Sequence, residues 1–309
     1  MGEPHFWILR LGEMTLKSRP VRRHFQRCLE QCLLDLALTA DIDLHIEHSG
    51  SLIIVSSHSE ISEVENVLSH CFGLQSVERT IPCPADPESV ASIALKIDEK
   101  FGTERTFGVQ TKRSGNKGEW GSQDFSGNVG HHMLEKDSAL SVNLSNPDYP
   151  VRIILTRENA WLLSKKIICP GGLPVGVQGL VMAKISNEID MMGSWQMMRR
   201  GCRIVAHDSS DGALIQVLSK WDSTILDPEK AMKSKSGPGR GTSRIWGIIG
   251  DIGTNELSVE EESKTPISIL EPMCGWTSTE LSALAKHIRD PIESMRPGYD
   301  NEILTAWIA

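Results

Sequence analysis

An α/β fold is predicted for this 309-residue chain from three observations. Short apolar runs such as HFWILRL at 5–11 alternate with amphipathic stretches of helical period. Proline and glycine gather at Pro82, Pro84 and Pro87 and again over 170–176. They divide the chain into segments 1–80, 81–170 and 171–309, a number of domains that suits the length. Charged residues are 23% and hydrophobic residues 39%, the balance of a globular chain, and no run of eighteen apolar residues is present, which excludes a transmembrane helix.

The elements follow in order. Residues 5–11 read as a buried strand. Ser18 is placed to cap a helix through about residue 39, with Phe25, Leu29, Cys32, Leu33 and Leu36 on one stripe. His45 to Ser56 reads as two strands turning at Ser49-Gly50-Ser51, residues 60–70 as a helix and Leu74 to Ile81 as a strand. The order β-α-β-β-α-β is that of a ferredoxin-like, α+β unit. The second segment has a helix near 87–100, a strand at Thr106–Thr111, a basic Gly-rich turn, a helix near 122–135, a turn at Asn146-Pro147-Asp148, and strands at Val151–Thr156 and Trp161–Ile168. In the third, from about 177, helices near 188–200, 210–220 and 277–288 alternate with strands at Arg203–His207, Ile245–Ile249 and Ile267–Leu270. That alternation predicts a small doubly wound sheet. Lys233 to Thr242 reads as a flexible surface loop.

Net charge is −8, which taken alone argues against a nucleic-acid partner. Its distribution qualifies that. Residues 204–309 hold 10 basic and 16 acidic residues, and 41–90 hold one and nine. Residues 1–30 carry six basic residues (Arg10, Lys17, Arg19, Arg22, Arg23, Arg27), and 105–117 carry Arg105, Lys112, Arg113 and Lys117 with no acid. The seven cysteines are scattered without a Cys-x-x-Cys, which argues against a disulfide framework or zinc ribbon. The first residues lack the basic start and long apolar core of a signal peptide. A cytoplasmic protein with reduced thiols is expected.

Three motifs carry a resemblance. The first is Gly12-Glu13-Met14-Thr15-Leu16-Lys17-Ser18, followed by Arg22 and Phe25. The second is Phe107-Gly108-Val109-Gln110-Thr111-Lys112-Arg113-Ser114, with Asp124-Phe125-Ser126 and Gly130 beyond it. The third is Pro170-Gly171-Gly172-Leu173-Pro174-Val175-Gly176, followed by Gln178-Gly179. Together they resemble the tRNA 4-thiouridine synthase family, sulfurtransferases with a THUMP RNA-binding domain, which are also linked to thiazole formation for thiamine. The resemblance covers residues 5–203 well and the remainder faintly. It implies a ferredoxin-like domain over 1–80, a THUMP domain over 81–170 and a PP-loop-like domain over 171–309. It also implies tRNA as partner. The residues agree: basic side chains in a Gly-rich turn reach phosphates with little obstruction. Arg23 and Arg27, four apart on a helix, share a face. The expected RNA-binding residues are Lys17, Arg22, Arg23, Arg27, Lys112, Arg113 and Lys117. Trp120 is a candidate for stacking on a base or for packing inward.

One departure sets the functional expectation. The family's phosphate loop reads Ser-Gly-Gly-x-Asp-Ser between a strand and a helix, where glycines let backbone and helix N–H groups meet the ATP phosphates. Here the stretch is Ser186-Asn187-Glu188-Ile189-Asp190-Met191, anchored by Met197-Met198-Arg199-Arg200-Gly201-Cys202 downstream. Both glycines are gone. A carboxylate about 4 Å from a phosphate costs on the order of 1–4 kcal/mol. At a helix start, Glu188 instead suits the helix dipole itself. Residues 177–309 are also short for the family's ATP-using domain. The family's sulfur-carrying cysteine would fall near Tyr299, where Asp300 follows, and no rhodanese-like domain is seen.

The expectation is therefore a tRNA-binding module or subunit in tRNA modification with a degenerate PP-loop, no cofactor, no catalytic residue and no membrane association. Its partners would be tRNA, a separate modifying enzyme and, as the family often pairs, a second copy. The alternative is a diverged ATP- and Mg-dependent tRNA sulfurtransferase; a third reading is an assembly protein that presents tRNA to a catalytic subunit. Cys28 and Cys32, Cys202, and Met191, Met192, Met197 and Met198 read as core. His131 and His132 are adjacent on a helix and are expected to diverge. Gly250-Asp251-Ile252-Gly253, after a strand, is a weak anion-loop candidate.

Overall fold

A computed structural model describes residues 2–12, 17–116, 118–233, 245–252 and 267–295. The expected Lys117, the 233–242 loop beyond Lys233, Gly253, Tyr299 and Asp300 lie outside the described residues. The chain forms two compact units that are interleaved along the sequence. One comprises residues 1–9, 45–58 and 78–166; the other comprises 10–44, 59–77 and 167–309.

The elements of the first half are β1 (His5–Leu11), α1 (Arg19–Thr39), β2 (His45–Ser49), β3 (Leu52–Ser57), α2 (Ile61–Ser69) and β4 (Leu74–Pro84). Then come α3 (Pro87–Lys96), β5 (Arg105–Arg113), α4 (Ser122–Lys136), β6 (Leu140–Val142), β7 (Tyr149–Leu155) and β8 (Asn159–Ile168). The predicted β-α-β-β-α-β order is present. Pro82 and Pro84 lie within β4, and Pro87 opens α3 behind the Asp86 cap, whose carboxylate accepts from Ser89 N at 2.8 Å.

All eight strands join one sheet, in the order β2-β3-β1-β4-β8-β7-β5-β6. In the first unit β7 shows how the sheet serves two cores. Val151, Ile153 and Leu155 face one side with Phe107, Phe125, Val129 and Leu162, under α3 and α4. Ile154 faces the other with Ile8, Ile54 and Trp161. This is the period-2 alternation of a strand buried on both faces. The two-residue turn Gly50-Ser51 joins β2 to β3, with Gly50 at φ +63°, and Ser51 Oγ lies 2.8 Å from Ser114 Oγ. The short β6, which the sequence reading passed over, pairs in parallel with residues 105–107 of β5.

The second unit carries β9 (Leu180–Ala183), α5 (Glu188–Arg199), β10 (Arg203–Ala206), α6 (Gly212–Ser219), a 3-10 turn (Ser223–Leu226), α7 (Pro228–Lys233), β11 (Ile245–Ile249), β12 (Ser268–Ile269), α8 (Ser278–Arg289) and α9 (Pro291–Ser294). Its four strands are all parallel, in the order β10-β9-β11-β12. The chain leaves β9 through α5 to β10 on one side, and β11 lies on the other. This is a doubly wound sheet with its switch point between β9 and β11.

α5 is buried almost all round. Met191, Met192, Trp195, Met197 and Met198 lie in the core, as the methionine spacing predicts. They meet an aromatic cluster in which Trp195 and Trp221 sit 5.2 Å apart, edge to face, with Phe72, His70 and His287 around them. Trp221 Nε1 donates to Ile288 O at 2.9 Å, which satisfies the one polar atom of that ring.

Candidate functional site

The candidate site of the second unit is the amino end of α5, at the carboxyl edge of the parallel sheet. Asn187 is its N-cap. Its Oδ1 accepts from the N–H of Ile189 at 2.9 Å and of Asp190 at 3.1 Å. The Asp190 carboxylate turns back and accepts from Ser186 N at 3.0 Å. Glu188 pairs with Arg289 of α8. Main-chain donors that a phosphate-binding helix start keeps open are thus taken by the chain's own side chains. Two carboxylates in the first turn already complement the dipole.

A cavity of about 490 Å3 lies beside this pole. It is lined by Asp190, Gly250, Asp251, Glu271, Met273 and Cys274, among others, from the carboxyl ends of the strands. It occupies the crevice where open α/β sheets bind ligands. Its ionisable lining is three carboxylates and no base, which disfavours an anion. Gly250 takes φ +83°, and a Cβ there would stand 2.4 Å from Lys184 O, so this glycine serves strand-end packing. Among the described residues, no group of three or more His, Cys, Asp or Glu side chains is placed to hold a metal ion.

The opening and loop motifs meet within the second unit. Gly12 N donates to Gly73 O at 3.0 Å, Gly73 N to Gly171 O at 2.8 Å, and Gly171 N to Leu74 O at 2.8 Å. Leu173 N then donates to Arg199 O at 2.9 Å, which fastens the 170–176 loop to the last turn of α5. Gly172, at φ +71°, sits where a Cβ would come within 2.2 Å of that same oxygen.

The expected RNA-binding residues fall in both units. Lys17, Arg22, Arg23 and Arg27 belong to the second, all exposed at or on α1. Arg23 and Arg27 lie opposite the buried stripe of Phe25, Leu29, Leu33 and Leu36. Ser18 is the N-cap of α1, but its side chain makes no capping bond; Pro20 opens the helix instead. Lys112 and Arg113 belong to the first unit, at the end of β5. Lys112 is exposed. Arg113 is half-buried: its guanidinium donates to Trp120 O and, at 3.3 Å, to Asn116 O. It braces the Gly-rich turn. Trp120 packs edge-on to Phe125, 6.2 Å between centroids, against the core under α4.

Other candidates resolve as structure. Burial pushes the Cys32 and Cys202 thiols up to about 12, and Cys28 up as well, which leaves them poor nucleophiles. His131 and His132 do not diverge as expected. Both rings reach Glu135, at 3.3 and 3.0 Å, because i+4 and i+3 partners lie on the same helix surface. No helix among the described residues is long and apolar enough to cross a membrane.

Residues 84–164 match the THUMP domain family. Over these residues the chain is similar to THUMP domains, within a mixed α/β architecture. By sequence it is similar to proteins named as probable tRNA sulfurtransferases. It is 31% identical over 234 residues to a probable tRNA sulfurtransferase of Methanocaldococcus jannaschii, 71% of this chain and 61% of the relative. It is 30% identical over 205 residues to one from Thermococcus kodakarensis, 64% of this chain and 53% of the relative. The matches thus span a little over half the length of these relatives. Two crystal structures share the fold. One, of a Pyrococcus horikoshii protein, matches at TM-score 0.69 and 21% identity, covering 92% of this chain and 99% of that one. The other, a 4-thiouridine synthetase–RNA complex with bound ATP, matches at 0.67 and 20%, covering 97% and 89%.

Proposed function

We propose that this chain is a tRNA-binding protein of tRNA modification, a binding module or subunit whose adenine-nucleotide site has been lost. The THUMP match and the tRNA sulfurtransferase relatives support the RNA partner. The observation that carries the loss is the self-capped start of α5. Asn187 and Asp190 take the main-chain donors, and Glu188 stands with them where a phosphate would need open N–H groups and no negative charge. The residues present do not fit ATP.

Two measurements test this together. Titration with Mg-ATP is expected to give no binding up to millimolar concentration; tight, Mg-dependent binding returns the chain to the active sulfurtransferases. Lys112→Glu, an exposed change, is expected to weaken tRNA binding severalfold and to make its salt dependence shallower by about one phosphate contact. Unchanged affinity at physiological salt sinks the RNA reading. Mass spectrometry of tRNA nucleosides from cells with and without the gene names the pathway.

A further inference from the structure

The second unit has a recess at the opposite end of its parallel sheet, and it differs in kind from the acidic cavity. It measures about 370 Å3 and is lined by Gly172, Leu173, Gln178, Met197, Arg199, Arg200, Cys202 and Trp246. Leu173, Met197 and Cys202 supply apolar surface. Trp246, the second residue of β11, is 38% exposed, high for the largest apolar side chain. Its ring is nonetheless fixed: Nε1 donates to Gln178 O at 3.0 Å, and its edge lies where a Cβ on Gly179 would stand 3.2 Å away. Gly179 takes φ +85°, so the close approach needs a glycine twice over. Arg200, the C-cap of α5, is exposed beside it and makes no ion pair among the described residues.

A fixed, exposed indole over an apolar floor and an exposed guanidinium are the parts of a single-strand RNA site. Aromatic faces take bases, and guanidinium groups take phosphates.

We propose that this recess binds an unpaired stretch of RNA, one base stacked on Trp246 and an adjoining phosphate held by Arg200. The inference rests on the tRNA-binding reading above. It adds a contact that is independent of Lys112 and of the α5 amino end. A free mononucleotide is the rival occupant, and competition separates the two.

The test is tRNA affinity of the full chain and its variants by fluorescence anisotropy. Trp246→Ala and Arg200→Glu are each expected to weaken binding about tenfold, within the range for one stacked base. Trp246→Phe, which keeps a stacking face, is expected to stay within about threefold of wild type. Arg200→Glu is also expected to reduce the salt slope by about one. Its exposed position makes it the control for misfolding in Trp246→Ala. A single-stranded oligoribonucleotide should compete with tRNA, and AMP or UMP at least tenfold less well. Wild-type binding left unchanged by both Trp246→Ala and Arg200→Glu overturns this proposal alone, as do mononucleotides that compete equally well. A wild-type chain that binds no tRNA overturns it together with the function on which it rests.

Discussion

The two ends of α5 make opposite surfaces from one helix. At its start, Asn187 and Asp190 fold back onto the main chain, and the neighbouring cavity is lined by carboxylates. At its end, Arg199 O anchors the Gly-Gly-Leu-Pro loop, and Arg200 stands open beside an exposed tryptophan. The helix dipole favours acids at the first end and bases at the second, so each set of charges also stabilises the helix. The difference lies in what remains available. The start has spent its donors internally, whereas the end presents a guanidinium and an aromatic face outward. One helix thus gives the same domain a closed pole and an open one.

Between these ends lies the aromatic core that holds α5 in place, and its disruption gives the largest effect. Burial lowers His70 to about 4 and His287 to about 3. In the unfolded chain both titrate near their ordinary value of about 6.5. Above that pH neither state binds the proton. Below it the unfolded chain gains protons that the folded one refuses until about pH 4 and 3. Stability is therefore expected to fall by up to about 1.4 kcal/mol per pH unit for each histidine between pH 6.5 and 4.5. Urea melts across that range measure it, and His287→Phe should remove about half the slope. A flat profile would mean that the core does not hold these rings neutral.

Next in size is Gly172→Ala, which drives a methyl into Arg199 O and forces a side chain into the left-handed region. A loss of about 3 kcal/mol is expected in chemical denaturation. A loss under about 1 kcal/mol would show that the loop can leave the helix end at little cost. The smallest effect is at the other end. Asn187→Ala frees two main-chain donors and should cost about 1 kcal/mol, with no gain in ATP binding, since Glu188 and Asp190 remain. Calorimetric titration of that variant with Mg-ATP separates the effect of the occupied donors from that of the added charge.

Much of this was legible in the sequence because the signals are local. The Phe25–Leu36 stripe, the hairpin at Gly50, the methionines of α5 and the Asn187 cap can each be read within a dozen residues. What escaped is short or distant. β6 and β9 have three and four residues and no alternation to detect. Charge and motif make Arg113 a candidate for RNA contact; only the geometry shows that it also braces the turn. The Trp246 recess joins residues 68 positions apart through the bond to Gln178.

By itself, then, the sequence determined an α/β chain and most of its helices and strands. Period, capping and glycine content are properties of neighbouring residues, fixed by local sterics and hydrogen bonding. Only the tertiary structure decided that eight strands from two predicted segments share one sheet, and that the strands and helices of the β-α-β-β-α-β segment count with different compact units. It alone set an indole beside a guanidinium at the amino end of a second sheet. Strand pairing and side-chain convergence are decided by the burial and hydrogen bonding of residues far apart in the chain, which no local pattern encodes.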